Sequence, residues 1–273
     1  MTGATLLWHR LMSPNVVKSI ILGQDFLVFK SLPRFLDELP SLDELSIHSR
    51  DDVWIDKLGL TIDSIPSRVR KLDLSNFFQN DPDLMFGGRG STLKLNEHLP
   101  YLQVLDLSNS EFTTYSWMTH SPQSLTSLSI YQFDGSVELP SSLIHFEACK
   151  FTLSTTSFVS KLPPSLESIV VTISLNGLDL LVPLLPPSIR ELMLGISKEY
   201  SVSPRTKHLL EQLPKSLTWF FVPISTDINF KTNPELISHF PSTLQHLNIV
   251  PNLPCSAWPL LPPNLTTLIC SPP

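Results

Sequence analysis

Apolar residues return along the chain in a short pattern, clearest at residues 185–194, which read Leu-Pro-Pro-Ser-Ile-Arg-Glu-Leu-Met-Leu. Three apolar positions follow the proline pair, at Ile189, Leu192 and Leu194. The last two are two residues apart, which is the spacing of side chains on one face of a β-strand. The pattern therefore predicts one short strand behind each proline.

The pattern recurs eleven times when the copies are aligned on their proline. The alignment prolines are Pro14, Pro40, Pro66, Pro100, Pro122, Pro140, Pro163, Pro186, Pro214, Pro241 and Pro262. The copies at Pro40 and Pro100 are one residue shorter between the proline and the first leucine, and the first copy lacks the leading leucine. Because no single copy can bury its own apolar face, we predict stacked copies with a continuous core and a parallel sheet.

The residues around the strands predict the turns and the return segments. Proline has no N–H for a sheet ladder, so it belongs at the strand entrance. The serines before the first strand leucine are expected to bond nearby backbone and shape the turn: Ser124, Ser142, Ser165, Ser188 and Ser216. Asn233-Pro234 and Ser203-Pro204 predict helix starts, residues 156–161 a third short helix, and the glycines of residues 87–90 an exposed loop insertion.

Two segments carry a family resemblance, Asp-Leu-Ser-Asn at residues 73–76 and Leu-Asp-Leu-Ser-Asn at residues 105–109. The chain resembles leucine-rich repeat proteins over roughly residues 14–270, and its Leu-Pro-x-Ser-Leu-x-x-Leu form is similar to the FNIP-type variant and to repeats of bacterial effector proteins. The resemblance implies an α/β solenoid shaped as a curved horseshoe. About eleven parallel strands would line its concave face, with short helices, 3₁₀ and extended returns on the convex face. It also implies a non-enzymatic scaffold that binds other proteins.

The residues that alternate with the core positions are expected to face solvent on the concave side. Neighbouring strands lie about 4.8 Å apart, so equivalent residues form columns. The first half of the chain places acidic residues there, at Glu44, Asp73, Asp106 and Glu147, whereas the second half places large apolar ones. The predicted partner-binding residues are Val170, Glu191, Met193, Trp219, Phe221, His246 and Asn248.

The partner predicted for these columns is a protein with an apolar anchor and a basic flank. A second interpretation stays open, because residues 219–222 read Trp-Phe-Phe-Val and are apolar throughout. Continuous apolar runs are normal in buried parallel strands, so this run is also compatible with burial under a return segment or another chain. The choice of face depends on the register, since a slip of one residue inverts it.

Composition and charge narrow the class of protein. The chain has 273 residues, a net charge of −6, and 25 prolines against 9 glycines. An acidic chain is a poor candidate for binding nucleic acid. Cys149, Cys255 and Cys270 are few and widely spaced, which indicates a reducing compartment. With neither a secretory signal nor an apolar run of membrane-spanning length, we expect a cytoplasmic protein.

The sequence offers little chemistry. It contains no His-Glu-x-x-His, Cys-x-x-Cys or Gly-x-Ser-x-Gly, so we expect neither an enzyme nor a cofactor or metal site. His145 and Cys149 would share a strand face but lie about 13 Å apart, too far for a nucleophile pair. Asp73 and Asp106 could pair across copies, although the loop insertion separates them in sequence.

The two ends of the chain add two expectations. Residues 1–13 are expected to be an N-terminal cap or the remnant of an upstream module, and residues 14–273 the repeat domain. Residues 7–11, Leu-Trp-His-Arg-Leu, resemble the tail of an F-box, so the alternative function is substrate recognition in an F-box-type ubiquitin ligase adaptor. At the other end Leu265 and Leu268 would be uncovered, for which a truncated sequence, self-association and protection by the terminal prolines all remain open.

Overall fold

The computed structural model describes residues 16–22, 32–48, 62–76, 94–108, 116–133, 137–151, 162–173, 180–196, 206–222, 233–249 and 253–270. These residues contain one eleven-stranded sheet whose strand order is the chain order. Its strands are β1 (Ser19–Leu22), β2 (Glu44–His48), β3 (Lys71–Asn76), β4 (Val104–Leu107), β5 (Ser127–Phe133), β6 (His145–Phe151), β7 (Ser168–Ile173), β8 (Glu191–Ile196), β9 (Trp219–Val222), β10 (His246–Ile249) and β11 (Thr267–Cys270). The predicted parallel solenoid is confirmed.

The chain divides into two compact units, residues 1–131 and residues 132–273. In the first unit the core positions of β2 to β5 are fully buried, and Leu45, Leu72, Leu105 and Leu128 are each 0 % exposed. In the second unit the equivalent residues are also buried: Phe146, Ile169, Leu192, Phe220 and Leu247. Strands β2 to β10 therefore turn one face inward, as the repeating apolar positions predict.

The second unit adds an aromatic cluster to its leucine core. The ring of Phe133 lies 5.5 Å from that of Phe146 and 6.1 Å from that of Phe151, measured between centroids. Phe146 meets Phe151 edge-on at 6.4 Å. These edge-to-face and tilted arrangements are the favourable ones for aromatic pairs, and all three side chains are buried.

A β-turn closes in front of each strand from β2 to β11. The N–H of Leu166 donates to the Pro163 carbonyl at 3.1 Å, and Ile189 makes the same bond to Pro186. In the copies at Pro40 and Pro100, however, Leu42 and Leu102 donate to the residue before the proline. These copies are therefore not short: their proline occupies the second turn position instead of the first, which its fixed φ favours.

Hydroxyl groups at the turns donate to backbone carbonyls of the preceding copy. The Ser165 hydroxyl lies 2.8 Å from both the Ser141 and the Leu143 carbonyl. Ser188 repeats this with Pro164 and Leu166, at 2.8 and 2.7 Å. Thr243 takes the same place further along, bonding Lys215 and Leu217. Each hydroxyl therefore joins two successive copies of the repeat.

The return segments are short helical turns. Among the described residues, α-helices span Leu32–Asp37, Leu95–His98 and Thr206–Glu211, and 3₁₀ turns span Ile62–Ser64, Ser116–His120, Val182–Leu184, Pro234–His239 and Cys255–Leu260. The helix predicted after Pro204 is present, whereas the one predicted at Pro234 is a 3₁₀ turn without a side-chain cap from Asn233. Residues 1–13, 87–90, 156–161 and 203–204 lie outside the described residues.

Candidate functional site

Strand pairing in the second unit sets the register of the outward-facing residues. One column of paired positions runs Glu147, Val170, Met193, Phe221, Asn248 and Ile269, and the column before it runs His145, Ser168, Glu191, Trp219, His246 and Thr267. Both columns match the register derived from the apolar pattern. All seven predicted partner-binding residues therefore lie on neighbouring strands β7 to β10.

Backbone hydrogen bonds at the strand entrances hold this register. The carbonyl of Glu167 accepts the N–H groups of both Arg190 and Glu191, at 2.8 and 3.0 Å. The carbonyl of Arg190 then accepts those of Thr218 and Trp219, at 2.8 and 2.9 Å. The same pair of hydrogen bonds to one carbonyl recurs at successive copies. Each of these strands therefore starts at a fixed position relative to its neighbour, and the outward side chains line up.

The alternation in β9 decides which aromatic side chains face outward. Phe220 is 4 % exposed, and its ring lies 5.6 Å from that of Phe240 in the core. Trp219 and Phe221 lie on the opposite face and are partly exposed. Their rings stack, with centroids 6.3 Å apart and planes at 25°. Over residues 219–221, the apolar run is thus buried on one face only.

The apolar residues extend across three strands. Val170, Met193 and Phe221 occupy paired positions on β7, β8 and β9, and each is partly exposed. Together with Trp219 they form a continuous apolar surface, which we call the outer patch. Three polar residues flank it: Glu191, His246 and Asn248. A rigid sheet that presents large apolar side chains to solvent is a typical setting for recognition.

Thr172 and Gly195 pack closely against each other beside the outer patch. The sequence analysis did not predict this contact. A Cβ built on Gly195 would press against the Thr172 hydroxyl oxygen, with the Thr172 Cβ 3.1 Å and the Cγ2 3.2 Å away. The two residues are paired across β7 and β8. An isolated glycine inside a strand pattern is the signal that could have revealed this approach.

Two acidic residues of the first unit, Asp73 and Asp106, have a local partner. A carboxylate oxygen of Asp73 accepts the N–H of Ser75 at 3.0 Å, and Asp106 accepts that of Ser108 at the same distance. The two aspartates occupy paired positions on β3 and β4, so the insertion that separates them in sequence does not separate them in the sheet. Each carboxylate therefore supports its own strand end.

The described residues contain no group of three or more His, Cys, Asp and Glu side chains that could hold a metal ion. His145 and Cys149 both lie on β6, as predicted. None of the three cysteines, all in described segments, forms a disulfide bond. None of the helices in these segments is long and apolar enough to cross a membrane.

The last strand of the described chain is less covered than the inner strands. Leu265 and Leu268 are partly exposed, whereas the equivalent Leu244 and Leu247 are 0 % and 1 % exposed. Ile269 is 56 % exposed. The uncovered apolar positions predicted near Leu268 are therefore present, and self-association through this edge stays a prediction.

Parallel strands in chain order, with a recurring turn before them and recurring backbone hydrogen bonds at their entrances, define a leucine-rich-repeat-like α/β solenoid. No protein-family model matches the chain, and no curated protein matches it. Among solved structures it is similar to that of CroV588, described as a novel circular LRR protein, at 20 % identity and a TM-score of 0.46 over 93 % of this chain. The chain spans 43 % of the length of that protein.

Proposed function

We propose that the chain is a non-enzymatic scaffold that binds a protein partner through the outer patch, with Glu191, His246 and Asn248 at its margin. The observation that carries the proposal is the stacked pair of Trp219 and Phe221. Both side chains are partly exposed, because they lie on the face of β9 opposite to the one that packs in the core. Tryptophan is enriched among residues that dominate binding energy. A water-facing position for such a pair therefore favours a partner.

The sheet supports binding because it holds the outer patch in place before the partner arrives. Met193 is flanked by Val170 on one side and Phe221 on the other, all on hydrogen-bonded strands. Because the sheet fixes the backbone, binding does not have to order the main chain of this surface. The partner we propose carries an apolar anchor for this surface and a basic flank for Glu147 and Glu191.

We assign no catalytic step to this face. In the first unit, the carboxylates of Asp73 and Asp106 accept backbone hydrogen bonds, and in the second unit the outward columns are dominated by apolar and uncharged residues. We also propose that the repeats are of the FNIP-type variant. We further propose a cytoplasmic location, which the three free cysteines support. The F-box alternative rests on residues 7–11, outside the described residues.

Affinity purification with mass spectrometry tests the proposal. The bait is the full chain, compared with a double variant carrying Trp219→Ala and Phe221→Ala. The matched control carries Tyr101→Ala and Trp258→Ala, which removes two aromatic side chains that are 61 % and 56 % exposed elsewhere. A partner recovered with the wild type and the control should be lost with the patch variant.

Binding of the purified partner then gives the magnitude. We expect the patch variant to bind at least about thirtyfold more weakly by calorimetry, because a hot-spot residue contributes 2 kcal/mol or more. Circular dichroism should show that both double variants remain folded. Equal affinity of the wild type and the patch variant for every recovered partner would refute the proposal.

A further inference from the structure

Glu191 stands out among the charged residues around the outer patch. It is exposed, and among the described residues it has no ion-pair partner. Its neighbour Arg190 lies closer to another carboxylate, that of Glu167, at 4.0 Å. The carboxylate of Glu191 is thus a negative charge next to an apolar surface, where a cation from a partner would be well placed.

The aromatic neighbour of Glu191 narrows the kind of cation. Glu191 on β8 is paired with Trp219 on β9, so the two side chains leave the sheet side by side, about 4.8 Å apart at the backbone. The Phe221 ring lies beside the indole, with centroids 6.3 Å apart and planes at 25°. The indole ring is therefore held in place beside a carboxylate.

A guanidinium group fits this pair better than an ammonium group. It is planar, donates two parallel N–H bonds to a carboxylate, and stacks on an aromatic ring at the same time. An ammonium group offers a point charge and lacks the flat surface. We propose that Glu191 and Trp219 form a subsite that reads an arginine of the partner. This inference rests on the proposed function of the outer patch.

The geometry of the sheet also sets where the partner's apolar anchor lies. Met193 and Phe221 lie two residues beyond Glu191 and Trp219 on their strands, a distance of about 6.6 Å. An extended partner segment that runs along the strands spaces its own alternate side chains by the same amount. The arginine and the large apolar residue are therefore two positions apart in the partner.

A phage-displayed library of random dodecapeptides, selected on the full immobilised chain, tests the inference. Enriched peptides are synthesised with arginine, lysine or citrulline at the selected position, and their affinities are measured by fluorescence anisotropy. Citrulline keeps the shape of arginine and removes its charge. We expect enrichment of arginine two positions from Leu, Met, Phe or Trp, and a loss of at least about fivefold on replacement by citrulline.

Variants of the chain complete the test. Glu191→Gln should weaken binding of the arginine peptide by at least about fivefold and leave binding of the citrulline peptide unchanged, because the two changes remove the same interaction. Glu167→Gln is the matched control: it removes a nearby carboxylate that lies against Arg190, and it should leave both affinities unchanged.

The outcomes separate the subsite from the outer patch. If peptides depend on Trp219 and Phe221 but bind equally well with citrulline or with Glu191→Gln, the arginine subsite is wrong and the proposed function stands. Equal affinity of the lysine and arginine peptides would overturn the arginine assignment in favour of a simple charge contact. A library that yields no binder dependent on Trp219 or Phe221 contradicts both proposals.

Discussion

The turn hydroxyls link successive copies of the repeat, which gives single residues an effect on neighbouring copies. Ser165 and Ser188 each donate to two carbonyls of the preceding copy. Arg68 occupies the equivalent position in an earlier copy, and its guanidinium reaches the Leu36 and Leu39 carbonyls at 2.8 and 2.6 Å. A donor that reaches backwards therefore recurs at this position, and its chemical type varies.

Replacing Ser188 by alanine should lower the stability of the second unit. The change leaves the carbonyls of Pro164 and Leu166 without their hydroxyl donor, and the Leu166 bond is partly buried. We expect a loss of about 1–2 kcal/mol, measured as a lower urea midpoint of unfolding.

Two further variants make this test specific for the hydrogen bond. Ser188→Thr should stay close to the wild type, because Thr243 makes the same two bonds in its own copy. Ser141→Ala removes an exposed turn hydroxyl and should change the midpoint by little. If Ser188→Ala unfolds at the wild-type midpoint, the hydroxyl does not stabilise the stack.

Gly195 is a second position where a single atom matters. In an unhindered strand position, Gly195→Ala would be stabilising, because alanine loses less backbone entropy on folding. Here the added methyl group meets Thr172, whose Cβ and Cγ2 are 3.1 and 3.2 Å away. We expect Gly195→Ala to destabilise the protein by about 1–3 kcal/mol in urea unfolding.

A second-site change distinguishes crowding by Thr172 from other causes. Thr172→Ala removes the hydroxyl and the methyl group that the new side chain would meet, so the double variant should regain most of the lost stability. Thr172→Ala alone should be mild, because this side chain is exposed. Additive effects of the two substitutions would rule out the crowding explanation.

At the scale of one element, β9 shows how alternate residues of a single strand differ in role. Phe220 packs against Phe240 in the core, whereas Phe221 stacks on Trp219 outside. We expect Phe220→Ala to cost about 3–5 kcal/mol in urea unfolding, because it leaves a cavity. Phe221→Ala in the same strand should cost much less. Similar losses for the two variants would contradict the assignment of faces.

The strands were predictable from the sequence because their signal is local. The spacing of Val69, Leu72 and Leu74 is enough to define an inward face, and all three side chains are fully buried. Trp219 and Phe221 follow from the same alternation, so the outward columns could be placed as well. The identity of the partner could not be predicted, because apolar side chains on a face do not specify what binds there.

The turns and returns were less predictable because their partners lie in other copies. The acceptors of Ser188 are about twenty residues away in sequence, and only the stacking of the copies brings them close. Proline was an imperfect marker of where each turn begins. The turn is defined by the carbonyl that accepts the leucine N–H, and proline fits either of two turn positions. Asn233-Pro234 is compatible with both α and 3₁₀ starts.

At the scale of the whole molecule, the strands of the described sheet pair with their neighbours in the chain. β4, for example, pairs with β3 and β5, and β8 pairs with β7 and β9. In such an architecture stability is close to a sum of the stability of each copy and of the contacts with its nearest neighbours. A local defect should therefore stay local, unlike in a globule with one shared core.

Hydrogen exchange of the protein with Leu105→Ala tests this locality. Leu105 is fully buried in β4, so its truncation should cost about 2–5 kcal/mol in that part of the stack. Amide exchange should become faster in β3, β4 and β5, and it should change far less in β8, β9 and β10. The reciprocal variant Leu192→Ala, in β8, should reverse this pattern. If only neighbouring copies are coupled, neither variant should accelerate exchange equally in all strands. Equal acceleration in all strands would show that the molecule unfolds as one cooperative core.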